Sequence, residues 1–121
     1  MRLCLARAGR LVVLALTLWV AGCGSSGVSC PNDPAPACPS VMPTYAADVA
    51  PIVQGVCVTC HGPGGTEAIK PFTTYDELNA DKLAAYSRVL SCAMPPGNAP
   101  QPLGLDQRQT LLEWFACGAP P

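Results

Sequence analysis

Apolar side chains recur through residues 45–57 at Val49, Ile52, Val53 and Val56, close to the i, i+3, i+4, i+7 spacing of an amphipathic helix. Pro51 falls inside this run and fits an α-helix only in its first turn. Asp48 as N-cap puts Pro51 at the third helical position, and a longer kinked helix is the alternative. Residues 62–72 break the pattern with Gly62, Pro63, Gly64, Gly65 and Pro71. Thr74 and Glu77 have capping-box spacing and open a short helix. Residues 81–91 then set Leu83, Tyr86, Val89 and Leu90 on one helical face, and a Pro/Gly-rich loop runs from Cys92 to Leu105. A second capping box, Asp106 with Gln109, begins a helix through Cys117 with Leu111, Leu112, Trp114 and Phe115 on its apolar side. Gly118 stops it. No stretch alternates as a strand, so the expected class is all-α, a small bundle of three to four helices.

The N-terminus carries a different hydrophobic pattern, continuous and not periodic. Arg2, Arg7 and Arg10 precede an apolar run over residues 11–21, and small residues follow before Cys23. This is the layout of an export signal over 1–22. Eleven residues are too few to cross a hydrocarbon core about 30 Å thick. Val20-Ala21-Gly22-Cys23 resembles the lipobox of bacterial lipoproteins, which implies that Cys23 is acylated and becomes the mature N-terminus. Gly24 stands where an inner-membrane retention signal would carry Asp. The expected location is the periplasmic or cell-surface face of a bacterial membrane, held by lipid. Secretion without lipid is the simpler alternative.

Residues 23–43 are rich in Gly, Ser, Pro and Asn and read as a tether, leaving 44–121 as the folded domain. Loss of the signal leaves four Lys and Arg against eight acids, a formal net charge of −4 on 99 residues. With no basic patch, nucleic acid is not an expected partner; an acidic surface suits steering toward a neutral or basic protein. A chain this short is marginal on core burial alone, so staples or a cofactor are expected. Seven cysteines remain after cleavage, in a compartment where disulfides persist.

Cys57-Val58-Thr59-Cys60-His61 carries the chemistry. C-x-x-C-H is the attachment motif of c-type haem. Two thiols at i and i+3 on one helical turn reach the two vinyl groups along one haem edge and form thioethers, and the next residue supplies the proximal imidazole. An export signal suits this cofactor, which is attached outside the bacterial cytoplasm. Other readings are a zinc site of Cys57, Cys60, Cys92 and Cys117, a thioredoxin-like pair, or a plain Cys57–Cys60 disulfide. The first lacks a repeated close pair, the second lacks a βαβ setting, and the third leaves His61 unexplained.

His61 is the only histidine, so a sixth ligand within the chain falls to methionine. Met42 lies in the tether, whereas Met94 follows a helix and precedes Pro95 and Pro96, which stiffen its loop. Met94 is the expected distal iron ligand, giving the Met/His pair usual in electron-carrying cytochromes c.

The order of attachment helix, C-x-x-C-H, Gly-rich loop, Met-Pro loop and C-terminal helix resembles the monohaem class I cytochrome c family over residues 44–118. Thr44 to Ile52 and Leu111 to Pro120 are similar to the opening and closing segments of bacterial cytochrome c domains of the Planctomycete type. The resemblance implies first and last helices packed together at the edge of one covalent haem c. It also implies thioethers at Cys57 and Cys60 and axial ligands His61 and Met94. The stretch from His61 to Met94 is shorter than in mitochondrial-type members, which implies a more exposed haem.

The remaining cysteines read as staples. A Cys92–Cys117 bridge with Cys30–Cys38 is the expectation; four cysteines allow three connectivities, and the crossed pairings join tether to core. Tyr75, Tyr86 and Trp114 read as core packing and Arg88 as a solvated helix face, with donation to haem propionates as the alternative. The expected function is one-electron transfer by a monomeric, lipid-anchored carrier with protein redox partners, and not an enzyme. The alternatives are an anchored interaction module stapled by disulfides or zinc, and a haem enzyme or sensor with an open sixth site.

Overall fold

The computed structural model describes Cys30, Pro31 and residues 34–121. The expected export signal and Cys23 lie outside the described residues. Among the described residues there are four helical segments and no strand, so the all-α expectation holds, and no helix is long and apolar enough to cross a membrane.

The first helix, α1, runs without a break over residues 45–61, but its hydrogen-bonding pattern changes along the way. Wide π turns at Tyr45–Val49 and Val53–Cys57 alternate with α turns at Ala50–Ile52 and Val58–His61. Pro51 accounts for the first widening. It has no N–H, and its ring crowds the carbonyl four residues back. The N–H groups of Val49 and Ala50 bond five residues back instead, to the carbonyls of Thr44 and Tyr45. The helix therefore starts earlier than an Asp48 cap implies. Thr44 is the cap, accepting from the Ala47 N–H, and Asp48 reaches back to accept from the Thr44 N–H at 2.8 Å.

The capping box at Thr74 and Glu77 opens α2 (Tyr75–Ala80) as expected. The Thr73 hydroxyl, then the Thr73 and Thr74 N–H groups, donate to the Glu77 carboxylate and hold its carboxyl below the usual range. After Asp81, α3 (Lys82–Leu90) buries Val89, with Tyr86 and Leu90 half-buried. Leu83 departs from its expected face and is 80 % exposed. The last helix, α4 (Leu105–Ala116), begins one residue before the expected Asp106 cap. Gly104 is its N-cap, and the Gln107 side chain accepts from the Gly104 N–H at 2.9 Å. Gly118 ends the helix at φ +85°, in the left-handed region that favours glycine.

Val49, Ile52 and Val53 from α1 meet Leu111, Leu112 and Trp114 from α4, with Phe72, Leu78, Val89 and Ala119 closing the core. Trp114 is wholly buried and its indole Nε1–H donates to the Pro120 carbonyl at 2.7 Å. Tyr45 and Tyr75 pack around it, and the Tyr75 hydroxyl donates to the Ala119 carbonyl at 3.0 Å. The core-packing reading of these aromatics is the one the contacts bear out.

The disulfides correct the expected pairing. Cys30 is bonded to Cys92 and Cys38 to Cys117, with Cα atoms 5.7 and 4.8 Å apart. Both bridges run from the Pro-rich segment to the ends of helices, so that segment is tied onto the domain at two points. Sequence proximity misled here because a nearby cysteine closes the shortest loop, whereas tertiary packing brings distant ones together. Bridging residues 62 and 79 apart removes more chain entropy than the expected short loops would. Replacing Cys38 and Cys117 together by Ser is expected to lower the unfolding free energy by about 2–4 kcal/mol, read as an earlier urea midpoint.

Candidate functional site

The C-x-x-C-H stretch occupies the last turn of α1. Cys57 ends the second π turn, and Val58–His61 form one α turn that brings Cys57 and Cys60 to the same side. Both are unpaired thiols, half-buried, among six described cysteines of which the other four are in disulfides. Burial, and secondarily its neighbour Cys60, pushes the Cys57 thiol up to about 11.

The loop after α1 folds back over this turn. The Glu67 N–H donates to the Cys60 carbonyl at 2.9 Å and the Phe72 N–H to the His61 carbonyl at 3.0 Å. Gly65 lies so close to the Cys60 carbonyl that a Cβ there would collide with backbone. Gln54 reaches across from α1 and donates to the Thr73 carbonyl at 3.2 Å. These contacts bring the Lys70 carbonyl within 2.8 Å of His61 Nδ1. A carbonyl can only accept, so Nδ1 carries a proton, and in the neutral ring Nε2 is the lone-pair nitrogen, the tautomer of a metal-ligating imidazole. Phe72 stacks on the ring at 4.4 Å between centroids and restrains its orientation.

Cys57, Cys60 and His61 open onto a cavity of about 420 Å³, within the usual range for small-molecule and cofactor sites. Met94 lies on its lining with Pro95, as do Val53 and Leu111 from the core and the half-buried Phe115. The other candidate, Met42, is 55 % exposed on the segment before α1 and is not on the lining. Arg88 is exposed along its helix yet borders the same cavity, while Tyr75 and Trp114 do not.

Arg108 was not among the sequence candidates, yet it positions the methionine loop. It is buried at 8 % exposure, with Nε donating to the Val89 carbonyl at 3.2 Å and Nη2 to the Leu90 carbonyl at 2.8 Å. The guanidinium thus caps the C-terminal end of α3, where orphan carbonyls carry partial negative charge. Just beyond, the Met94 N–H donates to the Arg88 carbonyl at 3.1 Å, and Cys92 takes a left-handed φ of +55° under its disulfide. An arginine at i+3 from a helix start has no sequence signature for this role; Phe72 and the Lys70 carbonyl were equally invisible, since their partner is nine or more residues away in the chain.

The four-thiolate zinc reading loses two ligands, because Cys92 and Cys117 are in separate disulfides. Among the described residues no three His, Cys, Asp or Glu side chains cluster as a metal site.

With Cys57 and Cys60 as free thiols, alkylation of Cys57 is expected to keep accelerating with pH through 10 and to level off near 11. In urea it should level off near the ordinary thiol value; a plateau at the same pH in both conditions would remove the burial argument. No known protein family, curated protein or solved structure matches this chain.

Proposed function

We propose that the chain is an exported, lipid-anchored carrier of single electrons holding one covalent haem c, with thioethers at Cys57 and Cys60 and axial ligands His61 and Met94. The observation that carries this reading is the donor set around one cavity. Two unpaired thiols one turn apart, an imidazole with Nε2 left as its lone pair, and a methionine all border the same space. Those donors and that mostly apolar lining fit a haem edge-bonded through its vinyl groups. The bound haem would supply a one-electron ferric/ferrous couple.

The residues of the chain have separate tasks in this reading. Cys57 and Cys60 fasten the group so that it cannot dissociate. The Lys70 carbonyl holds the Nδ1 proton of His61, which raises the basicity of the ligating nitrogen, and the stack on Phe72 keeps the ring from turning. Arg108 and the Cys30–Cys92 bridge fix the end of α3 and so the approach of Met94. A sixth ligand held by a stiff loop keeps coordination unchanged between oxidation states, which favours electron transfer over substrate chemistry. Wrapping of the helices around the haem, as in the class I cytochromes c the sequence resembles, belongs to this proposal, as do acylation at Cys23 and protein redox partners outside the cytoplasm.

The test is an optical spectrum of the Cys23→Ser protein exported together with haem-attachment machinery, recorded oxidised, reduced and after acid–acetone extraction. Sharp reduced α and β bands that survive extraction, with the weak red charge-transfer band of methionine-ligated ferric iron, are the expected result. Absence of covalent haem would overturn the proposal. The Met94→Ala variant is expected to keep its haem through extraction while losing the charge-transfer band, changing spin state and falling in reduction potential. An unchanged ferric spectrum in that variant would remove Met94 as ligand.

A further inference from the structure

We infer that the Cys30–Cys92 disulfide shortens the lipid tether and turns the methionine-loop end of the domain toward the phospholipid surface. The inference rests on the lipid anchor at Cys23 that forms part of the proposed function, and not on the haem.

The first support is chain length. Without disulfides, the whole Pro-rich segment up to Thr44 would separate lipid from fold. With Cys30 bonded to Cys92, only seven residue steps separate the acylated position from the domain, a reach of roughly 25 Å at full extension. The second bridge, at Cys38, would by itself permit fifteen steps, or roughly 50 Å. The shorter connection sets the limit, and it enters the domain two residues before Met94.

The second support is the distribution of charge, which is independent of the bridges. α4 runs from the Arg108 end of α3 to Cys117, so the two disulfides sit toward opposite ends of a helix of twelve residues, about 18 Å long. From Cys92 to Leu105 there is no charged side chain, Leu105 is 62 % exposed, and the charges that flank this stretch, Arg88 in the last turn of α3 and Asp106 in the first turn of α4, are both exposed and of opposite sign. The other end gathers Asp48 at the start of α1, Asp76 and Glu77 at the start of α2, and Glu113 near the end of α4. Tyr45, Tyr75 and Trp114 pack these three elements together there. A phospholipid surface containing anionic headgroups repels the acidic end and tolerates the neutral one at close range. Tether and charge therefore favour the same orientation, with the cavity edge that holds Met94 near the lipid and the acidic end free for soluble partners.

The experiment uses the full lipidated chain in nanodiscs of phosphatidylethanolamine and phosphatidylglycerol doped with a gadolinium-chelating lipid. The protein is kept reduced at the metal by ascorbate, which spares disulfides. Amide relaxation is read residue by residue. The amides of 93, 94 and 97–99 are expected to relax several-fold faster than those at 45–48 and 116–118, because they lie about 15 Å nearer the lipid along α4. The Cys38→Ser/Cys117→Ser variant is expected to keep this contrast, and the Cys30→Ser/Cys92→Ser variant to lose or reverse it. Uniform relaxation or the opposite gradient in the parent protein overturns the inference, whether or not either variant folds. Intact mass separates the two premises: a chain without lipid at Cys23 removes the anchor and this inference with it, whereas a lipidated chain with no gradient removes the orientation alone.

Discussion

Trp114 lies between the start of α1, α2 and the C-terminal turn, with no surface left to solvent and its one polar atom bonded to Pro120. A buried indole removes about 150–250 Å² from water, roughly 4–6 kcal/mol by area and a large share of what a domain this size can muster. Around it Val49 and Val53 of α1 lock against Leu111 and Leu112 of α4. This contact sets the direction in which both helices leave the core. α1 runs from it to the turn bearing Cys57, Cys60 and His61. α4 runs back from it to Arg108, which holds the end of α3 and the loop bearing Met94. Both walls of the cavity are therefore positioned from one packed junction.

Polar groups finish what packing begins. Hydrogen bonds to a charged donor are worth about 1.5–3 kcal/mol each when buried, so the two that Arg108 makes to Val89 and Leu90 outweigh the modest cost of a left-handed Cys92 beside them. On the opposite wall, a single backbone carbonyl decides the tautomer of His61. The loop that supplies it has little core of its own. It is held by backbone bonds to Cys60 and His61 and by Gln54, so a change in the loop would be felt at the imidazole before it was felt in the fold.

The two disulfides act on a different scale. With ten buried apolar residues among those described, the core has little margin, and each bridge closes a loop long enough to remove about 4 kcal/mol of unfolded-state entropy in the chain-entropy model. They also bind the Pro-rich segment to the end of each of two helices. That segment consequently does more than connect: its far part is covalently continuous with the walls of the cavity, and whatever holds its near part also orients the site.

Much of this was legible from residues alone. The periodicity of α1 and α4, the capping box at Thr74, the stop at Gly118 and the absence of strands among the described residues all follow from local spacing, because capping, helical period and glycine's conformational freedom act within a few residues. The thiol pair and His61 are adjacent in the chain, so their placement on one turn is local too, and Met94 but not Met42 borders the cavity they share. Local rules failed where the partner was distant. Pro51 suggested a late helix start, yet packing of Tyr45 and Val49 on α4 favours an early one and the backbone widens to accommodate the ring. Leu83 had the spacing of a core residue, but none of the described elements covers it. The disulfide pairing, the cap that Arg108 provides and the proton on His61 Nδ1 depend on atoms brought together only when the helices pack. Sequence by itself determined which elements form and which reactive side chains they carry; tertiary structure decided which cysteines meet and what holds His61 and Met94 in place, because those contacts are made across the fold and leave no periodic trace in the chain.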